Sequence, residues 1–165
     1  MLRAGLRNLE NRLMKAVRDP RSVQILDQDT LPFDAQALAG HRYILLATTR
    51  RDGREIATPM WFAADGASRL VVRSGATDPK LQRVRRVSSV KVAACDFRGR
   101  PLGPPMRARA RILEPAEEAR AEQALTQAFG WRRSLYNFLR EPLLPMAYIE
   151  IKADGSKSRV ESLNR

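Results

Sequence analysis

The sequence of 165 residues is poor in the side chains on which many active sites depend, since it contains one cysteine and one histidine. Cys95 has no second cysteine for a disulfide or a thiolate metal site, and its apolar surroundings (Val-Lys-Val-Ala-Ala-Cys) favour core packing over a reactive thiol. His41 has no cysteine or carboxylate cluster at ligand spacing, so we predict no metal site. No Gly-x-Ser-x-Gly turn presents a nucleophile either, which argues against a hydrolase.

Several longer signatures are also missing. The chain has neither a Gly-x-Gly-x-x-Gly fingerprint nor a Walker-type phosphate loop, which excludes the Rossmann and P-loop modes of nucleotide binding. It has no apolar run of about 18 residues, the length that a membrane span needs, and no signal-peptide pattern at its N-terminus. We therefore expect a cytoplasmic protein. The length and the hydrophobic fraction of 44% suit one packed core.

Positive charge is what the chain has in excess. The formal net charge is +12, and such a surface attracts nucleic acid, anionic lipid or a phosphorylated cofactor alike. Residues 1–18 place leucines on one side of a helix and arginines and lysines mostly on the other, which predicts a basic amphipathic helix. We expect this helix to pack on its own domain or on a partner subunit, with a membrane surface as the alternative. Residues 1–39 thus form this helix and a connector, with a short helix before Gly40.

Residues 40–153 form the main domain and are dominated by strand patterns. Asp-Gly pairs at 52–53 and 65–66 mark the turns of a meander. The predicted strands are 43–49, 56–64, 70–74, 90–97, 106–113 and 146–152. Helices are predicted over 115–129 and 132–139, before the last strand, and residues 154–165 form a polar tail. We predict a mainly β fold with α decoration, an antiparallel six-stranded barrel, because closure removes exposed strand edges.

One corner of this barrel could bind an anion. A short helix is predicted from Pro79 to about residue 86, with Asp78 as its N-cap. Amide donors and the positive end of the dipole at its start combine with Arg73, Ser74, Lys80 and Arg83 into a phosphate cradle. An ordinary cap on a solvated basic helix face explains the same residues equally well. The strand 106–113 adds a basic face through Arg107, Arg109 and Arg111.

Proline in a neighbouring strand points to the same region. Pro59 interrupts the strand 56–64, and proline cannot donate a hydrogen bond to a ladder, so an edge or a bulge is predicted there. Such irregularities expose backbone groups to a ligand.

Four segments together resemble a known family. They are Tyr43-Ile-Leu-Leu-Ala-Thr-Thr-Arg-Arg-Asp-Gly, Ala57-Thr-Pro-Met-Trp-Phe, Val71-Val-Arg-Ser-Gly with Lys80-Leu-Gln-Arg-Val-Arg-Arg, and Val92-Ala-Ala-Cys-Asp-Phe-Arg-Gly-Arg-Pro. In order and spacing they resemble the deazaflavin-dependent branch of the pyridoxamine-5'-phosphate-oxidase-like superfamily, over residues 40–113 and more loosely near Tyr148. The resemblance implies an FMN-binding split β-barrel that forms a homodimer, with two cofactor sites across the subunit interface. The cofactor would be coenzyme F420 or FMN.

The resemblance also assigns residues. Thr58, Pro59 and Trp61 would line the ring, with Met60 in the same cofactor-binding run, and Arg73, Ser74, Lys80 and Arg83 would meet the phosphate. Met60 stands where the family usually has valine and Ser74 where threonine is common, which leaves F420 and FMN both open.

The implied activity is that of an oxidoreductase that transfers hydride to or from a small organic substrate. The cofactor carries that chemistry, so no catalytic residue is assigned. Tyr136 and Tyr148 suit aromatic packing better than a role as proton donor. Two alternatives stay open, a non-catalytic flavin- or haem-binding module and a basic protein that binds nucleic acid or a membrane surface.

Overall fold

A computed structural model describes residues 18–130 and 145–155 of the chain. The predicted helix over residues 1–18, except for its last residue, lies outside this part. So do the predicted helix 132–139 with Tyr136 and residues 156–165 of the predicted tail.

The described chain forms a six-stranded antiparallel barrel with one additional strand outside it. The strands are β1 (Leu31–Pro32), β2 (Tyr43–Thr49), β3 (Glu55–Ala64), β4 (Arg69–Gly75), β5 (Ser89–Cys95), β6 (Met106–Ile112) and β7 (Met146–Ala153). Their order is β1-β6-β5-β2-β3-β4-β7, and pairing of β6 with β7 closes the barrel. β1 lies parallel to the start of β6, at Leu31 opposite Met106. The predicted split β-barrel is therefore confirmed.

The predicted strands agree with the observed ones to within one residue at each end, apart from two larger differences. The strand predicted over 90–97 ends at Cys95, because the Asp96 carboxylate accepts the backbone N–H groups of Arg98 and Arg100, at 2.9 Å each, and so starts a turn. β1 was not predicted, since two residues are too short to show a strand period. Part of the connector, Pro20–Leu26, forms a 3-10 helix, and the predicted short helix before Gly40 is the 3-10 helix Gln36–Leu38.

Alternation along the strands fills the barrel with apolar side chains. Ile44, Leu46, Val72, Val92 and Ile149 belong to one buried cluster inside it, and burial of each side chain of this size stabilises the fold by about 1.5–3 kcal/mol. The helix α1 (Pro79–Arg86) lies at one end of the barrel, where its Leu81 and Val84 side chains join the same cluster.

The helix α2 (Pro115–Phe129) covers part of the outer surface, and its bounds are those predicted. Glu114 and Glu117 form a capping box at its start, and Gly130 ends it at φ +53°. Ala121 and Leu125 pack against Val71 and Tyr148 on the outer faces of β4 and β7. No helix in the described part is long and apolar enough to cross a membrane.

The barrel is split between β3 and β4. β3 pairs with β2 from Glu55 to Trp61, but it pairs with β4 only over Phe62–Ala64. The two strands therefore diverge, and we call the gap between residues 55–61 of β3 and residues 73–75 of β4 the β3–β4 opening. Pro59 lies in the half of β3 that has a strand partner on one side only, which confirms the predicted edge.

Candidate functional site

The predicted ring-lining run on β3 is divided between the two faces of the strand. Met60 is 8% exposed and belongs to the cluster inside the barrel, and Thr58 lies opposite Leu46, whose side chain also points inward. Pro59 and Trp61 point outward. The two-residue period of a strand predicts this division between the faces. A planar ring that lies against one face of β3 can therefore meet the side chains of only two of these four residues.

The outer face at Pro59 is covered by a turn of the same chain. Gly99 has φ +86°, and a Cβ atom added there would lie 3.4 Å from Cγ of Pro59 and 3.3 Å from Cδ2 of Leu45. The positive φ favours glycine at this position, and a side chain there would also crowd Leu45 and Pro59. The turn between β5 and β6 consequently packs on Pro59 from outside.

Trp61 belongs to an aromatic cluster that sequence reasoning missed. Its ring stacks on Phe129, with centroids 5.1 Å apart and planes at 17°, and meets Tyr43 edge-on at 6.1 Å. Phe129 is the last residue of α2 and lies four positions after the buried Leu125. The helical period therefore places both on the face of α2 that packs on the sheet, and this signal could have identified Phe129.

Arg73 and Ser74 point to opposite sides of β4. The guanidinium of Arg73 lies 6.0 Å from the centroid of the Tyr148 ring on the outer face. The Tyr148 hydroxyl donates a hydrogen bond to the Glu122 carboxylate of α2, so this tyrosine joins β7 to α2. Ser74 is buried and faces the start of α1.

Donors converge where β4 is followed by α1. The Ser74 hydroxyl donates to Oδ2 of Asp78 at 2.5 Å, and Nζ of Lys80 lies 2.8 Å from the same oxygen and 3.0 Å from Oγ of Ser74. The backbone N–H of Gly75 also donates to this carboxylate. We call the Ser74 hydroxyl, the Gly75 N–H and the Lys80 ammonium the anion corner.

Asp78 occupies the predicted N-cap position, but its side chain does not cap the helix. It turns instead into the anion corner. Burial alone would raise the pKa of the Asp78 carboxyl, but the charge of Lys80 and the hydrogen bonds from Lys80, Ser74 and Gly75 outweigh burial and lower that pKa. The side chain is therefore a carboxylate at neutral pH.

Arg83 lies one helical turn after Lys80 and points to the neighbouring strand β2. Its Nε donates to Oγ1 of the buried Thr48 at 2.8 Å, and Nη2 of Arg86 donates to the carbonyl of Thr49 at 2.6 Å. Burial lowers the pKa of Arg83, and the positive charges of Arg50 and Arg86 lower it further. Arg50, Arg83 and Arg86 thus form a cluster of like charge at the end of β2, which we call the arginine cluster.

Two of the four cations of α1 contact the strands on either side of β3. Lys80 contacts β4 through Ser74, and Arg83 contacts β2 through Thr48. Because β3 lies between β2 and β4 in the sheet, these charges flank its end nearest α1. Of the eight predicted residues, the structure brings Ser74 and Lys80 into contact and directs Arg83 to β2. It places Arg73, Pro59 and Trp61 on the outer face.

Two depressions of the described surface lie elsewhere. One of about 350 Å³ lies between Glu55, Lys91 and Arg107, and one of about 510 Å³ lies between α1 and the start of α2. None of the eight predicted residues lines either depression. Within the described residues, no three histidine, cysteine or acidic side chains are grouped so as to hold a metal ion.

Comparison with known proteins relates the chain to others through its fold. No protein-family profile and no curated protein sequence matches it. Among solved structures, an FAD-binding protein from Mesorhizobium loti matches with a TM-score of 0.53 and 18% identity, over 72% of this chain and 86% of that one. HutZ, the haem storage protein from Vibrio cholerae, matches with a TM-score of 0.54 and 12% identity, over 73% and 87%. The chain shares the split-barrel fold with these proteins.

Proposed function

We propose that the chain is an oxidoreductase that binds a phosphorylated flavin-type cofactor at the β3–β4 opening. One observation carries the proposal: the hydroxyl, amide and ammonium of the anion corner converge on a carboxylate, directly beside the opening. The same three kinds of donor bind a phosphate group. The donor set therefore fits the cofactor that the fold suggests, and the solved structure of an FAD-binding protein with this fold supports the choice of a flavin.

Each part of the site has a distinct task in this proposal. Ser74, Gly75 and Lys80 hold the phosphate, and the unpaired edge of β3 near Thr58 offers backbone groups to the polar edge of the ring. Trp61 supplies an aromatic surface, which Phe129 keeps in place by stacking. A bound flavin or deazaflavin supplies the hydride chemistry. The protein orients the ring and leaves one side to a small organic substrate.

Among these cofactors we favour coenzyme F420, with FMN next. The arginine cluster lies one helical turn from Lys80, and the mutual repulsion of its charges is relieved by an anionic ligand. F420 carries an anionic tail beyond its phosphate, whereas FMN does not. The basic residues near the opening thus match the longer anion better.

The site is proposed to lie between two copies of the chain in the cytoplasm. A second subunit would complete the enclosure that a ring needs at the β3–β4 opening. Static light scattering tests this part, because a homodimer has twice the chain mass of 18.6 kDa. A monomer at cofactor-saturating concentrations would contradict it.

The decisive test is a titration of the protein with F420 and with FMN, followed by absorbance and fluorescence. Lys80→Ala should weaken binding about tenfold to a hundredfold, the scale of one charge-assisted hydrogen bond. Lys152→Ala is the matched control, since it removes the same charge from the outer face of β7, where Nζ lies 3.5 Å from Glu150. Failure of the unmodified protein to bind either cofactor would overturn the proposal, and binding without turnover of any acceptor would leave a carrier module.

A further inference from the structure

The anion corner is occupied by a side chain of the protein itself. The Asp78 carboxylate accepts hydrogen bonds from Ser74, Gly75 and Lys80, and Ser74 is buried while the Lys80 side chain is 14% exposed. These are the donors that the proposed function gives to the cofactor phosphate. A carboxylate and a phosphate cannot both use them, because each donor has few hydrogens and the two anions repel each other.

Helix formation does not account for this placement of Asp78. An aspartate at an N-cap usually accepts a backbone N–H of the first turn, but the Asp78 side chain makes no such bond. The start of α1 is instead favoured by Pro79, whose fixed φ suits the first helical position. The carboxylate is therefore directed to the corner and not to its own helix.

We propose that Asp78 is an internal competitor for the phosphate, which must turn out of the anion corner when a phosphorylated cofactor binds. The inference rests on the proposed function and concerns the specificity of that site. Asp78 lowers the affinity for every ligand that needs the corner and has no effect on a ligand without a phosphate. It thereby sets how strongly the site distinguishes phosphorylated from unphosphorylated forms of the same ring.

The test compares each cofactor with its phosphate-free form, FMN with riboflavin and F420 with its ring-and-ribityl fragment. Asp78→Asn keeps the shape of the side chain and removes its charge. It should raise the affinity for the phosphorylated form on the order of tenfold to a hundredfold, and should leave the affinity for the phosphate-free form unchanged. Asp78→Ser, a second neutral residue that suits an N-cap, gives the same comparison if the first variant does not fold.

The matched control is Asp34→Asn, which changes the net charge equally at the opposite end of the barrel. The backbone N–H of Asp34 contacts Met106 at the start of β6, whereas α1 lies near Ala110 and Ile112 towards its end. If Asp34→Asn raised the affinity for the phosphorylated form as much as Asp78→Asn does, the gain would be a general charge effect, and the inference would be overturned.

Two further outcomes separate this inference from the proposed function. If Asp78→Asn leaves the ratio of the two affinities unchanged while Lys80→Ala still weakens cofactor binding, the competitor role is refuted and the proposed function stands. If neither the unmodified protein nor Asp78→Asn binds any of the four ligands, both are refuted.

Discussion

Glu150 tests how ion pairs on the outer face of the barrel hold α2 beside the β3–β4 opening. It lies on the outer face of β7 and is 2% exposed, yet it is ionised and surrounded by cations. Nη1 of Arg69 and Nε of Arg111 each lie 2.8 Å from its oxygens, and Nζ of Lys152 lies at 3.5 Å. Burial would raise the pKa of Glu150, but the hydrogen bonds and charges of Arg111 and Arg69 lower it. The carboxylate is thus the centre of an ion network.

The network extends to α2. Arg111 makes two hydrogen bonds to Glu117, at 2.7 and 2.8 Å, and Asp65 accepts from both Arg69 and Arg120. Both Glu117 and Arg120 belong to α2, the helix that ends with Phe129 against Trp61. Glu150 therefore helps to fix the helix that borders the proposed ring site.

We predict that Glu150→Gln destabilises the fold by about 1.5–3 kcal/mol. Loss of one partner from a fully buried ion pair costs about 3–5 kcal/mol, but the side chains of Arg69 and Arg111 are 26% and 43% exposed, so water screens part of the loss. For a chain of this length the melting temperature should fall by about 3–12 °C. Urea denaturation followed by circular dichroism measures the free energy of unfolding directly.

Glu118→Gln serves as the control for this measurement. It removes the same charge from α2, and among the described residues Glu118 has no ion-pair partner. A free energy of unfolding within about 0.5 kcal/mol of the unmodified protein for both variants would refute the assignment of Glu150 as the centre of the network.

Two further predictions concern pH and the thiol. Hydrogen bonds from Arg111 lower the pKa of Glu117 to about 2, and hydrogen bonds from Arg21 lower the pKa of Asp19 to about 2. In the unfolded chain the pKa values of these carboxyls are about 4. The stability that the two carboxylates contribute is therefore complete above about pH 4 and is lost as the pH falls towards 2. Thermal melts between pH 7 and pH 2 should show this decrease, and a flat profile would contradict it. Burial raises the pKa of the Cys95 thiol to about 12, so a thiol reagent at pH 8 should label it only when the protein is unfolded; rapid labelling of the folded protein would contradict the burial.

Strand and helix positions could be predicted from the sequence because they depend on local patterns. The Asp-Gly turns and the alternation of apolar residues located six strands, and Glu114, Pro115 and Gly130 fixed both ends of α2. The edge at Pro59 followed from its missing N–H group. These signals lie within a few residues of the structure that they specify.

The remaining features depend on side chains that meet across the fold. Alternation places Glu150 on the outer face of β7, but no local pattern shows that Arg69 and Arg111 reach it from two other strands. Asp78 was predicted as a cap from its position, and the structure shows that Ser74 and Lys80 compete successfully for its carboxylate. Helical periodicity could have added Phe129 to the candidate site, whereas its stacking on Trp61 requires the position of α2 on the barrel.

The proposed function requires that a phosphorylated flavin-type cofactor binds at the β3–β4 opening through the anion corner. A crystal structure of the protein grown with F420 or FMN tests it most directly. We expect the phosphate within hydrogen-bond distance of Ser74 and Lys80, the Asp78 side chain turned away and the ring beside β3 near Thr58 and Trp61. A cofactor bound elsewhere, with the Asp78 carboxylate still on Lys80, would contradict it.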